Sequence, residues 1–315
     1  ADEWLTTQIT GNMPRVGRIG LAYFASPKGK ILTEMTVTNL AENDFLLMTG
    51  AGAYWHDRDL LMASLPAGGS VTIDDVTRNL ATLLVTGPKA PAILADMTGQ
   101  SMTHDDFVWL SHRKIDLANC QANVIRVSFA GEAGFEIHCQ MDDVVAVYDA
   151  VMVAGAAHQL RPFGMLALDS MRLEKGYRSW KSDLTSDYTM FDSGLGRWVN
   201  FNKDDFVGRA ALQAEKQAGS QGEFVTLTLD DPDDDDPFGE AVYLSNVSID
   251  GADAGLVVSA GYGHRVGASI AMAVVDRQAL ANAKDISVLV LGRKRRATVV
   301  EGYVLYDPEN AKMKV

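Results

Sequence analysis

Cysteine is nearly absent. Cys120 and Cys139 are the only two in 315 residues. They form no Cys-x-x-Cys and no Cys/His spacing of the kind that holds zinc, so a disulfide framework and a zinc module are excluded. The pair fits a reducing compartment, or thiols buried incidentally. The six histidines (56, 104, 112, 138, 158 and 264) give no H-E-x-x-H or comparable ligand motif, and no metal is expected. No G-x-S-x-G elbow presents a nucleophilic serine. No apolar run reaches the roughly 18 residues of a transmembrane helix. Basic residues are scarce, 28 Lys and Arg against 41 Asp and Glu, for a net charge of −13. That sign argues against nucleic acid or an anionic membrane as partner, although a few local cations suffice for a small anion. Phosphate-cradling glycine loops are lacking too. GAGAYW (50–55) misses the third glycine, and GYGHRVG (261–267) lies between strand candidates rather than opening a helix. No flavin is therefore expected in this chain. The first residues, ADEWLTTQITGNMP, show no basic region followed by an apolar one, so no secretory signal is read. The expected setting is cytoplasmic, or the mitochondrial matrix in a eukaryote.

Apolar residues are plentiful at 47%, enough for a sizeable core. The length allows one large domain or two to three small ones. Ile19–Phe24 and Ile31–Leu40 read as strands around the turn Ala-Ser-Pro-Lys-Gly-Lys, with Leu32, Glu34, Thr36 and Thr38 on one face of the second. Phe45–Thr49 and Ala81–Thr86 are further strands. Trp55–Leu65 has helical spacing. Gly87-Pro88 opens a helix running to about Met97, with proline in its first turn. Asp142 or Asp143 caps a helix carrying Val144, Val147, Tyr148, Val151 and Met152. Another starts at Pro162–Gly164 and ends or kinks at Gly176. A boundary falls near Ala218–Gly222, and the strand-rich remainder predicts a small antiparallel barrel or sandwich. Its strand candidates are Phe224–Leu229, Ala241–Ile249, Leu256–Val258, Ser269–Val275, Ile286–Leu291 and Ala297–Val304, with 292–295 as a basic hairpin turn. The acidic run Asp230–Asp236 reads as a solvated loop without the spacing of an EF-hand.

The stretch VSFAGEAGFEIH (127–138) organises the chain. Two apolar-rich arms, Ala122–Phe129 and Phe135–Cys139, flank Gly-Glu-Ala-Gly, which predicts a strand, a tight turn and a strand. Phe135, Ile137 and Cys139 then share one face, with Glu136 and His138 on the other. A carboxylate fixed there can grip a polar ligand, or it can simply be solvated.

This stretch resembles the Y-x-G-E-x-G-x-E-(I/L) segment of the glycine-cleavage T-protein (aminomethyltransferase) family. GRIGLAYFASPKGKILTEMTVTNL (17–40), GPKAPAIL (87–94), PFGMLALDSMRLEKGYRSW (162–180), GLGRWVNFNKDDFVGRAAL (194–212) and SAGYGHRVGASIAMAVV (259–275) follow in the family's order. The likeness spans nearly the whole chain and is nearest the folate-binding C-terminal half of dimethylglycine and sarcosine dehydrogenases. It implies an α+β, aminomethyltransferase-like folate-binding fold of mixed and antiparallel sheets with helices over residues 1–218. A small C-terminal β-barrel domain follows over 219–315. Because the family carries sequence ahead of the first matching segment, and no initiator Met is present, N-terminal strands or a whole upstream domain are expected to be missing.

By resemblance the cofactor is tetrahydrofolate and the chemistry is one-carbon transfer from an N-methylated amine, giving 5,10-methylenetetrahydrofolate. The implied partners are that amine, or its iminium, and a flavin-dependent oxidoreductase domain or subunit that generates it. Glu34 occupies the position of the family's catalytic Asp, on a stem one methylene longer. A carboxylate there accepts the proton that the folate amine loses as it attacks. Glu136 matches the carboxylate that takes the two adjacent donors of the pterin ring. Phe129 stands where the family has Tyr and keeps the aromatic wall without the hydroxyl. His138, Tyr177, Trp180 and Trp55 are further candidate contacts. Arg172 is either a ligand contact or half of an Arg172–Glu174 staple. Leu168 replaces an arginine that contacts the folate tail, so tail recognition must differ. A flavin-free demethylase is a second enzymatic reading. A non-catalytic folate-binding or structural domain of a flavin-dependent dehydrogenase is the alternative. The related folate-binding accessory proteins that assist iron–sulfur enzymes, with their K-G-C-Y motif, fit less well, because Lys175-Gly176-Tyr177 lacks the Cys.

Overall fold

A computed structural model describes residues 1–230 and 239–315. The acidic run therefore falls, from residue 231 on, outside the described residues. Helix α1 (Asp2–Gln8) leads into an antiparallel sheet of β1 (Ile19–Ala25), β2 (Ile31–Ala41) and β3 (Asp44–Met48), followed by α2 (Tyr54–Ala63). The β1–β2 turn closes with Gly29 N–H donating to Ser26 O at 2.8 Å, and Gly29 at φ +76° occupies the left-handed region that glycine enters freely. This short turn sets Tyr23 directly opposite Glu34. Ile31, Met35 and Val37 of β2 are buried, while Leu32, Glu34 and Thr36 are partly exposed. Thr38, expected on that outer face, is buried.

Strand β4 (Leu80–Thr86) and α3 (Ala90–Thr98) begin the second unit. It continues with β5 (His112–Leu117), β6 (Cys120–Ile125), β7 (Gly134–Gln140) and α4 (Val144–Ala156). The sheet is antiparallel in the order β4-β7-β6-β5. Phe135, Ile137 and Cys139 enter a core with Leu94 of α3 and Val147 and Val151 of α4. Two boundaries differ from expectation. Helix α3 starts at Ala90, two residues after Pro88. Asp143 occupies the N-cap of α4 without a side-chain cap bond, after one 3₁₀ turn over 141–143.

The expected tight hairpin is an eight-residue connection, 126–133. The first arm stops at Ile125, so Phe129 belongs to a loop and not to a strand. Side-chain hydrogen bonds, local and long-range, draw the chain off the ladder. Ser128 Oγ accepts the N–H groups of Ala130 (3.2 Å) and Glu132 (3.3 Å), and the buried Arg126 guanidinium donates to the carbonyls of Met102 (2.7 Å) and Phe107 (3.1 Å).

Helix α5 (Met165–Glu174) ends at Gly176, φ +70°, and α6 (Arg209–Ala218) precedes the last unit. That unit comprises β8 (Gly222–Leu229), β9 (Asn246–Ile249), β10 (Ala252–Gly263), β11 (Ala268–Asp276), α7 (Arg277–Ala281), β12 (Ile286–Val290) and β13 (Arg293–Val299). Its strands form a closed barrel, β10-β11-β8-β13-β12-β9. Closure recruits polar residues that local pattern leaves out, so β10 is longer than expected and β9 shorter. The expected basic turn is displaced as well. Leu291 and Gly292 carry the positive φ angles, while Arg293, Lys294 and Arg295 pair along β12. Arg295 is buried and donates to the carbonyls of Asp230 (3.1 Å) and Gly239 (2.9 Å). No helix among the described residues is long and apolar enough to cross a membrane.

Candidate active site

A cavity of about 380 Å³ opens between the first two sheets and the segment after α5. Strand β2 supplies Glu34 and Thr36, the end of β3 supplies Met48, Thr49 and Gly50, β4 supplies Thr82, and β7 supplies Glu136 and His138. The 126–133 loop contributes Phe129, and the stretch past Gly176 contributes Arg178, Ser179 and Trp180. Five of the eight candidates, Glu34, Glu136, Phe129, His138 and Trp180, thus line one space although they lie up to about 150 residues apart. Period-two alternation does this on β7: with Phe135 and Ile137 in the core, Glu136 and His138 face the void.

Tyr177 stands behind Phe129 rather than in the lining, its ring stacked at 6.0 Å and 9°. Trp55 is exposed and packs edge-on against Tyr54 away from the cavity. Arg172 lies outside the lining and buried. Its Nε donates to Asp169 at 2.7 Å, its Nη2 to Ser259 Oγ at 2.8 Å, and its Nη1 to Tyr177 O at 3.1 Å and to the Asp183 carboxylate. The expected Arg172–Glu174 staple is not formed. Glu174 instead takes the Arg265 side chain, with Arg265 N–H donating at 2.6 Å. Arg172 ties α5 to β10 through Ser259, and Glu174 ties it to the β10–β11 turn through Arg265, because residues two apart on a helix point in different directions.

Burial pushes the Glu34 carboxyl up to about 7. A hydrogen bond from the Tyr23 phenol opposes that rise, as does the positive field of Arg178, while Asp183 adds to it. A carboxylate balanced near neutrality can take and return a proton at little cost. Tyr23 is itself buried, with Trp198 edge-on at 5.6 Å. Glu136 is more open, 28% exposed at its side chain, and lies 3.4 Å from His138 Nε2. His138 Nδ1 contacts Thr82 Oγ1 at 3.1 Å, which fixes the ring. Enclosed polar atoms around the cavity lack hydrogen-bond partners: His138 Nε2, Trp180 Nε1, and Nε and Nη2 of Arg178. Thr49 at the rim donates to the buried Asp57, which also holds His56 Nδ1 at 2.8 Å. Sequence reasoning passed over Tyr23 and Arg178. The signal for Tyr23 was the strand register around a six-residue turn. The signal for Arg178 was a cation between two aromatic candidates.

The GCVT N-terminal domain matches residues 1–203, and the glycine cleavage T-protein C-terminal barrel domain matches residues 223–307. The chain belongs to the glycine cleavage T-protein family. Within this folate-dependent aminomethyltransferase family, it is 32% identical over 299 residues to mitochondrial dimethylglycine dehydrogenase of Homo sapiens, covering 94% of this chain and 34% of that protein. It is 27% identical to an aminomethyltransferase of Bacillus subtilis over 94% of this chain and 79% of the other. The chain thus spans about a third of the length of the dehydrogenases it resembles. The aminomethyltransferase T of the Bartonella henselae glycine cleavage system superposes with a TM-score of 0.80 at 23% identity, over 96% of this chain and 81% of that one, and shares its fold.

The family's tetrahydrofolate can be tested against these residues. A pterin edge offers an amino group beside a ring N–H, and the open Glu136 carboxylate can accept both. Phe129 and Trp180 offer aromatic faces, and the enclosed Trp180 Nε1, without a partner among the described residues, can donate to a ligand acceptor. The donor set fits a folate.

Proposed function

We propose that this chain captures a one-carbon unit from an N-methylated amine of the dimethylglycine or sarcosine type on tetrahydrofolate, forming 5,10-methylenetetrahydrofolate. The observation that carries this reading is Glu34, a half-buried carboxylate with a pKa of about 7, lining one cavity with Glu136 and an aromatic wall. Bound tetrahydrofolate supplies the nucleophilic nitrogen that takes up the carbon. Glu136 accepts the two donors of its ring and orients it. Phe129 and Trp180 flank the ring and exclude water from one side. Glu34, ionised, accepts the proton released from the attacking amine at its carboxylate oxygen. In the same state it stabilises a neighbouring cationic carbon–nitrogen unit. Oxidation of the amine to that electrophile would fall to a flavin-dependent domain or subunit, and this division of labour accords with the dehydrogenase names among the relatives. The reading goes with a cytoplasmic setting, or a mitochondrial one like that in those relatives' names.

The test is formation of 5,10-methylenetetrahydrofolate from formaldehyde and tetrahydrofolate, corrected for the uncatalysed reaction. Glu34→Gln is expected to slow it by about 10²–10⁴ while folate affinity, read by calorimetry, stays within about tenfold. A wild-type rate equal to background would overturn the enzymatic reading in favour of a non-catalytic folate-binding domain. Equal rates for wild type and variant would make Glu34 a bystander.

A further inference from the structure

Among the described residues Arg178 is the one Arg or Lys lining the cavity, and no carboxylate lies within ion-pair distance of it. Its charge is met by ring faces instead, Phe224 at 3.9 Å and Tyr303 at 5.3 Å from the guanidinium carbon. Two of its three nitrogens, Nε and Nη2, are enclosed and unbonded. The fold reserves space for this group. Gly194 sits at φ +65°, and a Cβ there would stand 2.8 Å from Arg178 Nη2. Arg172, six residues earlier, is satisfied by two carboxylates, a hydroxyl and a carbonyl. Holding a buried guanidinium without an anion is costly, since the lost hydration has no ionic replacement. Burial accordingly pulls its pKa below the usual arginine value. A site of this kind gains most from a ligand that brings a carboxylate.

We infer that Arg178 is a specificity-determining residue that binds the carboxylate of the amine substrate, so that the cavity selects N-methylated amino acids over N-methylated amines without an acid group. The inference rests on the functional reading above and narrows its substrate class. Position decides between the carboxylates that could reach Arg178. Its field acts on Glu34, so it lies at the reacting end of the cavity, whereas the glutamate tail of a folate extends away from the reacting nitrogen. In an N-methylated α-amino acid one carbon separates nitrogen from carboxylate. Such a ligand can set its cationic nitrogen toward Glu34 and its carboxylate toward Arg178 together, which a simple amine cannot do.

The experiment is a binding comparison that needs no turnover. Dimethylglycine and trimethylamine, the same tertiary amine with and without the carboxylate, are titrated into the full chain by ligand-observed NMR, with tetrahydrofolate present. Wild type is expected to prefer dimethylglycine by about tenfold to a hundredfold, the worth of a charge-assisted pair. Arg178→Met should abolish the preference, and Arg178→Lys, which keeps the charge but loses the planar fork, should retain part of it. Thermal melts report whether each variant is folded. A wild type without preference overturns the inference with no variant needed. So does a folded Arg178→Met that keeps the preference, or one that loses affinity for tetrahydrofolate alone, which would assign Arg178 to the folate tail. Failure of formaldehyde capture in the preceding test would leave this preference standing, so the two readings fail separately.

Discussion

At Glu34, burial and the Asp183 carboxylate favour the protonated form while Tyr23 and Arg178 favour the ionised one, and the balance falls at about 7. A base that must be ionised to work gives kcat/KM a rising acid limb centred near that pH. Tyr23→Phe removes a donor that serves the carboxylate and leaves the strand pair intact. The Glu34 pKa should then rise further, and the acid limb should move up by about one pH unit, the worth of a hydrogen bond to a charged group. A pH–rate profile of the variant checks this. An unchanged limb with a uniformly lower rate would mean that Tyr23 only supports the fold. Glu34 itself was legible in the chain, because its segment matches a family motif. Its proton affinity was not, because the phenol comes from the paired strand and the guanidinium and Asp183 from a segment distant in the chain.

At the scale of elements, the 126–133 loop decides whether Phe129 reaches the cavity. Gly134 closes that loop at the first residue of β7, and a Cβ there would lie 2.6 Å from the Val127 carbonyl oxygen. Backbone cannot yield as a side-chain tip can. Gly134→Ala should therefore destabilise the protein by about 1–3 kcal/mol, a typical overpacking cost. Gly50→Ala, at the cavity rim with open space around it and an ordinary φ, should change stability by less than about 0.5 kcal/mol. Denaturant melts of the two variants give the comparison, and equal losses would refute the close-approach argument. The sequence marked both glycines of the Gly-Glu-Ala-Gly segment as special. It placed the strand end four residues late, since apolar alternation continues through Val127 and Phe129 after Ser128 and Arg126 have pulled the chain from the ladder.

For the molecule as a whole, the raised carboxyl makes stability depend on pH. Glu34 stands at about 7 in the fold, against 4.5 in an unfolded chain. Between those values the folded state holds a proton that the unfolded state has released, so stability falls as pH rises from about 4.5 to 7 and levels off above. Glu34→Gln cannot ionise and escapes this loss. It should match wild type near pH 4 and exceed it at pH 8, by an amount up to about 3 kcal/mol from the two pKa values, even as it loses activity. Melting temperatures at the two pH values test this. A variant less stable than wild type at pH 8 would show that the ionised carboxylate is well satisfied in the fold.

Periodicity and punctuation in the sequence marked the strands of the first sheet, β4, β6 and β7 of the second, helices α2 to α5 and a strand-rich barrel or sandwich after residue 218, because each depends on residues two to four apart; they did not mark β5, whose polar sequence lacks the alternation. They also determined that Glu136 and His138 share a face, a consequence of strand alternation alone. The tertiary structure decided which candidates meet. It brought Glu34, Glu136 and Trp180 to one cavity, turned Arg172 away into ion pairs with Asp169 and Asp183, and left Arg178 inside with no anion beside it among the described residues. The physical reason is range. Secondary structure follows from neighbouring residues, whereas burial, charge compensation and pKa depend on groups brought together from distant parts of the chain.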